Sequence, residues 1–152
     1  MGIEKIFETL FAALIITSVV LSQSFAGTDV INKTIDTIQL HSMIVDNAYE
    51  IEGGRKKQFT VIDARTEEEY DEGHIFSAIN IPEKDFEKSI NLLPQDKNVL
   101  LVVYCNDTKG EESYQWATKA AAAGYLHLVI YADGFQVWKK NKMPVAPLNN
   151  GI

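Results

Sequence analysis

One cysteine, Cys105, stands in a chain of 152 residues, so no intramolecular disulfide can brace the fold. Histidine is scarce too. His41, His74 and His127 lie far apart and show none of the spacings of a metal site, so neither a resident metal nor another cofactor is expected. No apolar run reaches the roughly 20 residues of a spanning helix. The longest, Leu10 to Leu21, has 12 and is broken by Thr17 and Ser18. Basic residues are outnumbered: 14 Lys and Arg face 21 Asp and Glu, for a formal net charge of −7. Nucleic acid is bound through basic faces, which such a chain lacks. Its one basic cluster, Arg55-Lys56-Lys57, comes after Gly53-Gly54 in an expected loop and reads as solvated. There is no internal repeat and no low-complexity segment, and the length suits a single domain with a real core.

Among the features present, the N-terminus comes first. The apolar run leads into Ser22-Gln23-Ser24-Phe25-Ala26, in which Ser24 and Ala26 are the small residues of a cleavage site. Residues 1–26 therefore read as a secretory signal peptide, 27–34 as an N-terminal segment, 35–145 as the folded domain and 146–152 as a C-terminal tail. The expected location is periplasmic or extracellular. The alternative is an uncleaved N-terminal anchor facing the same compartment, because Lys5 is the only basic residue ahead of the run and Glu4 offsets it. After cleavage no membrane contact is expected, and the protein is expected to be a monomer. Exported proteins usually carry paired cysteines, so a lone thiol calls for a chemical reason.

Along the rest of the chain, Asp36 or Thr37 caps a short helix through Leu40, Met43 and Ile44, and Asn47 to Lys57 reads as a loop. Phe59 to Asp63 is a strand. Thr66 and Glu69 form a capping box for a short helix ending near Gly73. Ala78 to Ile81 is a brief strand closed by Pro82 in the first turn of another helix. Leu93 to Lys97 is a turn, and Val99 to Tyr104 is apolar almost throughout, as a strand covered on both faces must be. Glu111 to Ala123 reads as a helix that packs Ala117, Ala120 and Ala121 inward and stops at Gly124. His127 to Tyr131 is the last strand, Asp133 or Gly134 opens a final helix through Trp138, and Pro144 and Pro147 mark the tail. Trp116, Tyr125 and Trp138 read as packing aromatics.

Strands alternate with helices over short connections, which means an α/β fold: a parallel sheet with helices on both faces. Cys105 falls just after the Val99–Tyr104 strand, ahead of the polar stretch Asn106-Asp107-Thr108-Lys109-Gly110. In open α/β sheets ligands bind at the carboxyl ends of strands, and a helix N-terminus there favours anions. The thiol is thus placed to act as a nucleophile.

Val61-Ile62-Asp63-Ala64-Arg65-Thr66, Glu69-Tyr70, Gly73-His74-Ile75 and Ala78-Ile79-Asn80-Ile81-Pro82 resemble, in that order, the first half of a rhodanese-like (sulfurtransferase) domain. Val103-Tyr104-Cys105-Asn106, the Ala-rich helix to Gly124-Tyr125, and Asp133-Gly134 with Trp138 resemble its second half. The resemblance covers about residues 35 to 145. It implies a five-stranded parallel sheet between helices, and a sulfane sulfur carried as a persulfide at the position of Cys105. The implied partners are a small sulfur donor and a protein persulfide or thiol acceptor.

Two features depart from the family pattern. The loop from the cysteine usually reaches a Ser or Thr six positions on, whereas Ser113 lies eight positions after Cys105. An Arg often precedes that Ser, and here Glu112 does, next to Glu111. The loop Cys105 to Ser113 is therefore long and acidic. Acids at a helix start gain roughly 0.3–1 kcal/mol from the dipole, and they also oppose a thiolate. The expectation is that backbone N–H groups of the loop, freed to curl by Gly110, converge on the sulfur. Asp63 and Arg65, at a strand end, read as an ion pair supporting the site, and His74 as making a structural hydrogen bond.

These residues admit three functions. The first is a sulfurtransferase turning over through Cys105. The second is a rhodanese-like module of little activity that binds a sulfur carrier or protein partner, or senses redox state. The third is an oxyanion enzyme such as a phosphatase or arsenate reductase, whose longer loops clamp the anion with an Arg six positions after the Cys. That position is Glu111 here and the loop holds no Arg, so the developing charge would have no bidentate counterpart.

Overall fold

The computed structural model describes residues 31, 33–52 and 59–147. Five strands, β1 (Thr34–Ile35), β6 (His127–Tyr131), β5 (Leu100–Tyr104), β2 (Phe59–Asp63) and β4 (Ile79–Asn80), form one sheet in that spatial order. All four pairings are parallel, as the alternation of strands and helices required. The central pairing runs Phe59 to Leu100 through Asp63 to Tyr104, so both strands end level with each other. Cys105 lies just past that shared carboxyl edge.

The sheet buries both faces, and the two-residue period sorts its side chains between them. Ile62, Leu101, Val103, Leu128 and Ile130 face one core layer with Trp116, Ala117, Ala120 and Phe86. Val61, Val102, Tyr104, Val129 and Tyr131 face the other with Leu40, Phe135 and Trp138. Helix α4 (Glu111–Ala122) and the short α3 (Phe86–Ser89) cover the first face; α1 (Thr37–Glu52) and α5 (Gly134–Lys140) cover the second. Each large apolar side chain so buried contributes about 1.5–3 kcal/mol. Ala117 and Ala120 are fully buried as expected, while Ala121 is only partly covered.

Three elements depart from the sequence reading. Helix α1 is longer than expected: residues 47–52, assigned to a loop, continue it. No Gly or Pro falls between Thr37 and Glu52, and Asn47 extends the inward stripe after Ile44 and is buried. The rest of that expected loop, with Arg55-Lys56-Lys57, lies outside the described residues, as do the signal-peptide segment and the end of the tail. Second, β1 carries only two residues and no alternation to reveal it. It exists because β6 offers it an edge at Thr34 and Ile35. Third, the chain beyond Pro144 is not simply a tail. Val145–Ala146 forms β7, paired antiparallel with β3 (His74–Ile75).

Other local signals hold. Helix α2 (Glu67–Glu72) opens on the Thr66–Glu69 capping box and stops at Gly73. Asp36 and Gln39 cap α1 reciprocally: Gln39 N donates to Asp36 Oδ1 and Asp36 N to Gln39 Oε1, both at 2.9 Å. His74 is structural: its Nδ1 lies 2.9 Å from Tyr70 O and its ring stacks on Tyr70 at 3.7 Å.

Candidate active site

Cys105 is the first residue past β5 and is 3% exposed. The loop it opens is not free to wander, because the start of α5 holds it. Phe135 N donates to Cys105 O at 2.9 Å and Gln136 N to Asn106 O at 3.1 Å. The N–H groups that open α5 thus satisfy carbonyls of the cysteine loop. Gly134 makes this approach possible. A Cβ built there would stand 2.9 Å from both the N and the O of Asp107, at a backbone φ of +74°. The preceding Asp133 ties the same corner to α1, accepting from Thr37 N at 2.9 Å and Thr37 Oγ1 at 2.7 Å.

The loop's side chains are equally committed. Asn106 Nδ2 donates to Glu69 Oε1 at 3.0 Å, and its Oδ1 accepts from Gln136 Nε2 at 2.8 Å. Asp107 Oδ1 accepts from Lys109 N at 2.9 Å, closing a tight turn. Gly110 takes φ +68°, a left-handed turn into α4. Thr108 is exposed. Glu111 and Glu112 occupy the first turn of α4, where the dipole favours carboxylates. Ser113, next in that turn, is fully buried, and its hydroxyl has no hydrogen-bond partner among the described residues.

Cys105, Asn106, Asp107, Lys109, Glu111 and Glu112 line a cavity of about 270 Å³. Three of these side chains are carboxylates and one is an ammonium. Burial, followed by the charges of Glu69, Asp107, Glu83 and Asp63, pushes the Glu112 carboxyl above its ordinary range. The loop N–H groups do not converge on the sulfur as expected. The hydrogen bond of the thiol is instead donated by Sγ to Asp107 O at 3.7 Å. Only the protonated thiol can make that bond, since a thiolate has no proton to give.

Asp63 and Arg65 form the expected ion pair, with Arg65 Nη2 at 2.6 Å from Asp63 Oδ2 and both side chains at most 3% exposed. The pair braces more than a sheet edge. Arg65 Nη2 also donates to Gly73 O at 2.8 Å, and the guanidinium lies 3.9 Å from the Phe135 ring centroid, joining β2, α2 and α5. Tyr104 Oη donates to Asp63 Oδ2 at 2.5 Å and accepts from Ile75 N at 3.1 Å. Burial and the Asp63 carboxylate hold that phenol well above its usual range. Burial alone would lower the guanidinium; the bonds and charge of Asp63 outweigh it and raise Arg65. Neither Asp63 nor Arg65 lines the cavity of Cys105. Arg65 lines a second one, of about 160 Å³, whose wall at Asn106 is common to both.

Glu69 and Gln136 are the positions that sequence reasoning missed. Glu69 was legible as a capping residue and as part of the family pattern, but not as a partner of the cysteine loop, although a carboxylate has a second oxygen to offer. Gln136 carries no local signal at all, because its contact with a loop 30 residues earlier exists only once β5 and β6 are neighbours.

Comparison with known proteins places this geometry. The family model of the rhodanese-like domain matches residues 45–141. The thiosulfate sulfurtransferase PspE of Escherichia coli is 39% identical over 67 residues, 44% of this chain and 62% of the relative, so the match spans less than two thirds of that protein. Among solved structures, the Alr3790 protein of Anabaena sp. superposes with a TM-score of 0.59 at 24% identity, covering 76% of this chain and 83% of the other. A full-length protein of Lactobacillus plantarum reaches 0.59 at 20% identity over 90% of this chain and 98% of its own. The two structures share the fold.

Proposed function

The chain belongs to the rhodanese-like domain family, and from that premise we propose that it is a sulfurtransferase working through a persulfide on Cys105. The observation that carries this is the position of its one cysteine. Cys105 directly follows the central strand, forms part of the wall of a cavity of about 270 Å³, and its carbonyl is held by a backbone bond from α5.

The chemistry is that of the thiol. Cys105 loses its proton to solvent, and the thiolate attacks the outer sulfur of a donor such as thiosulfate, the substrate in the name of the E. coli relative. A new S–S bond forms, the donor's S–S bond breaks, and the electron pair leaves with sulfite or a thiolate. An acceptor nucleophile then takes the outer sulfur and returns the Cys105 thiolate. Gly134 and the α5 amides set where the sulfur sits. Asn106, fixed between Glu69 and Gln136, keeps the neighbouring wall in place.

Incubation of the protein with a sulfane sulfur donor, and then intact mass spectrometry, tests the proposal. The expected product is one added sulfur on Cys105. Cys105→Ser should take up none while melting like the wild type, and sulfur transfer by this variant would overturn the assignment. The bond from the thiol to Asp107 O and the acidic cavity favour a second reading, a module of slow turnover that binds a sulfur carrier; loading without steady turnover would select it.

Export is part of the proposal. Residues 1–26 have the composition of a leader, and among the described residues no helix is long and apolar enough to cross a membrane. N-terminal sequencing should find Gly27, and intact Met1 in membranes would select an anchor instead.

A further inference from the structure

The cavity at Cys105 has a charge character that sulfur transfer as such does not require. Among the described residues that line it, Asp107, Glu111 and Glu112 face Lys109 alone, and the loop holds no Arg. Glu69, hydrogen-bonded to Asn106 in the cavity wall, adds a fourth carboxylate just behind it. Loss of hydration first, and the neighbouring carboxylates after it, raise the Glu112 carboxyl even at a helix start. A dianion such as thiosulfate would approach Cys105 against all of these carboxylates with one lysine to help. A donor bearing an ammonium a few bonds from its sulfane sulfur would meet them as counter-charges, and the cavity has room for a molecule of that size.

We infer that the cavity selects small aminothiol persulfides, with the ammonium against Glu111 and Glu112, over dianionic donors. This rests on the persulfide reading of Cys105. The step balances without an added oxidant. Cys105–S⁻ attacks the outer sulfur of R–S–SH, the R–S bond to that sulfur breaks, and the pair leaves as R–S⁻, giving Cys105–S–SH.

The test compares the persulfide of cysteamine with that of 3-mercaptopropionate, donors of similar size and opposite charge, and adds thiosulfate as the dianion. Loading of Cys105 is measured by intact mass at low salt and at about 1 M salt, where the screening length is about 3 Å. Cysteamine persulfide should load at least about tenfold faster than the carboxylate donor at low salt, and the gap should shrink at high salt. Glu112→Arg should narrow or reverse the gap and speed thiosulfate by roughly tenfold, since the local charge changes by two units. The milder Glu112→Gln, with its melting curve, covers the case in which the arginine disturbs the loop. Equal rates for the two persulfides, or a gap indifferent to salt and to both substitutions, would overturn the charge selection while leaving the nucleophile intact. No loading from any donor would instead remove the persulfide reading and this inference with it.

Discussion

Gly134→Ala offers a decisive test of how the cysteine loop is held. Two effects act at this position. The backbone φ of +74° is one that L side chains adopt only under strain, at a cost of roughly 1–2 kcal/mol. The added Cβ would also lie 2.9 Å from Asp107 N and O and 3.0 Å from the Asn106 carbonyl carbon. These are backbone atoms and cannot swing aside as a side-chain end would, so an overpacking cost of about 1–3 kcal/mol is added. The total, roughly 2–5 kcal/mol, is a large part of the 5–15 kcal/mol that holds a domain together. Gly124→Ala is the matched control, because Gly124 has φ +92° and nothing within 4 Å of a built Cβ. It should cost the strain alone. At roughly 4–8 °C per kcal/mol for a small domain, Gly134→Ala should melt at least several degrees below Gly124→Ala. Any relief must come from moving Asn106 and Asp107, so Cys105 loading should slow at least about tenfold in the Gly134 variant only. Equal melting of the two variants with unchanged loading would refute the claim that this contact sets the loop.

Other perturbations of the site have equally definite outcomes. Asp63→Asn keeps the volume but leaves Arg65 buried without its charge partner, and should cost about 3–5 kcal/mol by denaturant unfolding; a loss under 1 kcal/mol would show that the pair relaxes to water. Glu112→Gln should raise the melting temperature near neutral pH. A carboxyl raised in the fold binds its proton more tightly than in the unfolded chain, so its contribution is present below the unfolded value of about 4.5 and is lost as pH rises through the higher folded one. The advantage of Gln should therefore fade at pH 4 and below, and a gain that persists there would point to another cause. Ser113→Ala removes a buried hydroxyl that has no partner among the described residues, so thermal melting should stay level or rise; a clear fall would reveal a partner for it.

The elements that were legible share one property: their signal is local. The Thr66–Glu69 capping box, the apolar run ending at Tyr104 and the glycine stops at Gly73 and Gly124 each need only a few neighbouring residues to act, and all appear where their sequence puts them. The nucleophile was legible for a related reason. A lone thiol at the junction of a buried strand and a polar turn is a contrast written in adjacent residues. Where the local signal was thin, the reading failed. The end of α1 was cut short because the stretch from Asn47 to Lys57 is polar and contains Gly53-Gly54, whereas in the fold Asn47 is buried on the inward stripe.

By itself, the sequence determined the α/β class, the parallel order implied by alternation, the place of Cys105 at a strand end and the acidic character of its loop, because periodicity, capping and formal charge are properties of short stretches of chain. Tertiary structure alone decided the pairing of Val145–Ala146 with His74–Ile75, the two-residue strand at Thr34, and the grip on the cysteine loop. It also decided that the thiol donates to Asp107 O rather than collecting loop amides, and that Glu69 and Gln136 stand on either side of Asn106. Those contacts join residues tens of positions apart, or depend on how a loop is pressed against Gly134. Nothing in a local stretch encodes them until the sheet has brought its carboxyl ends together.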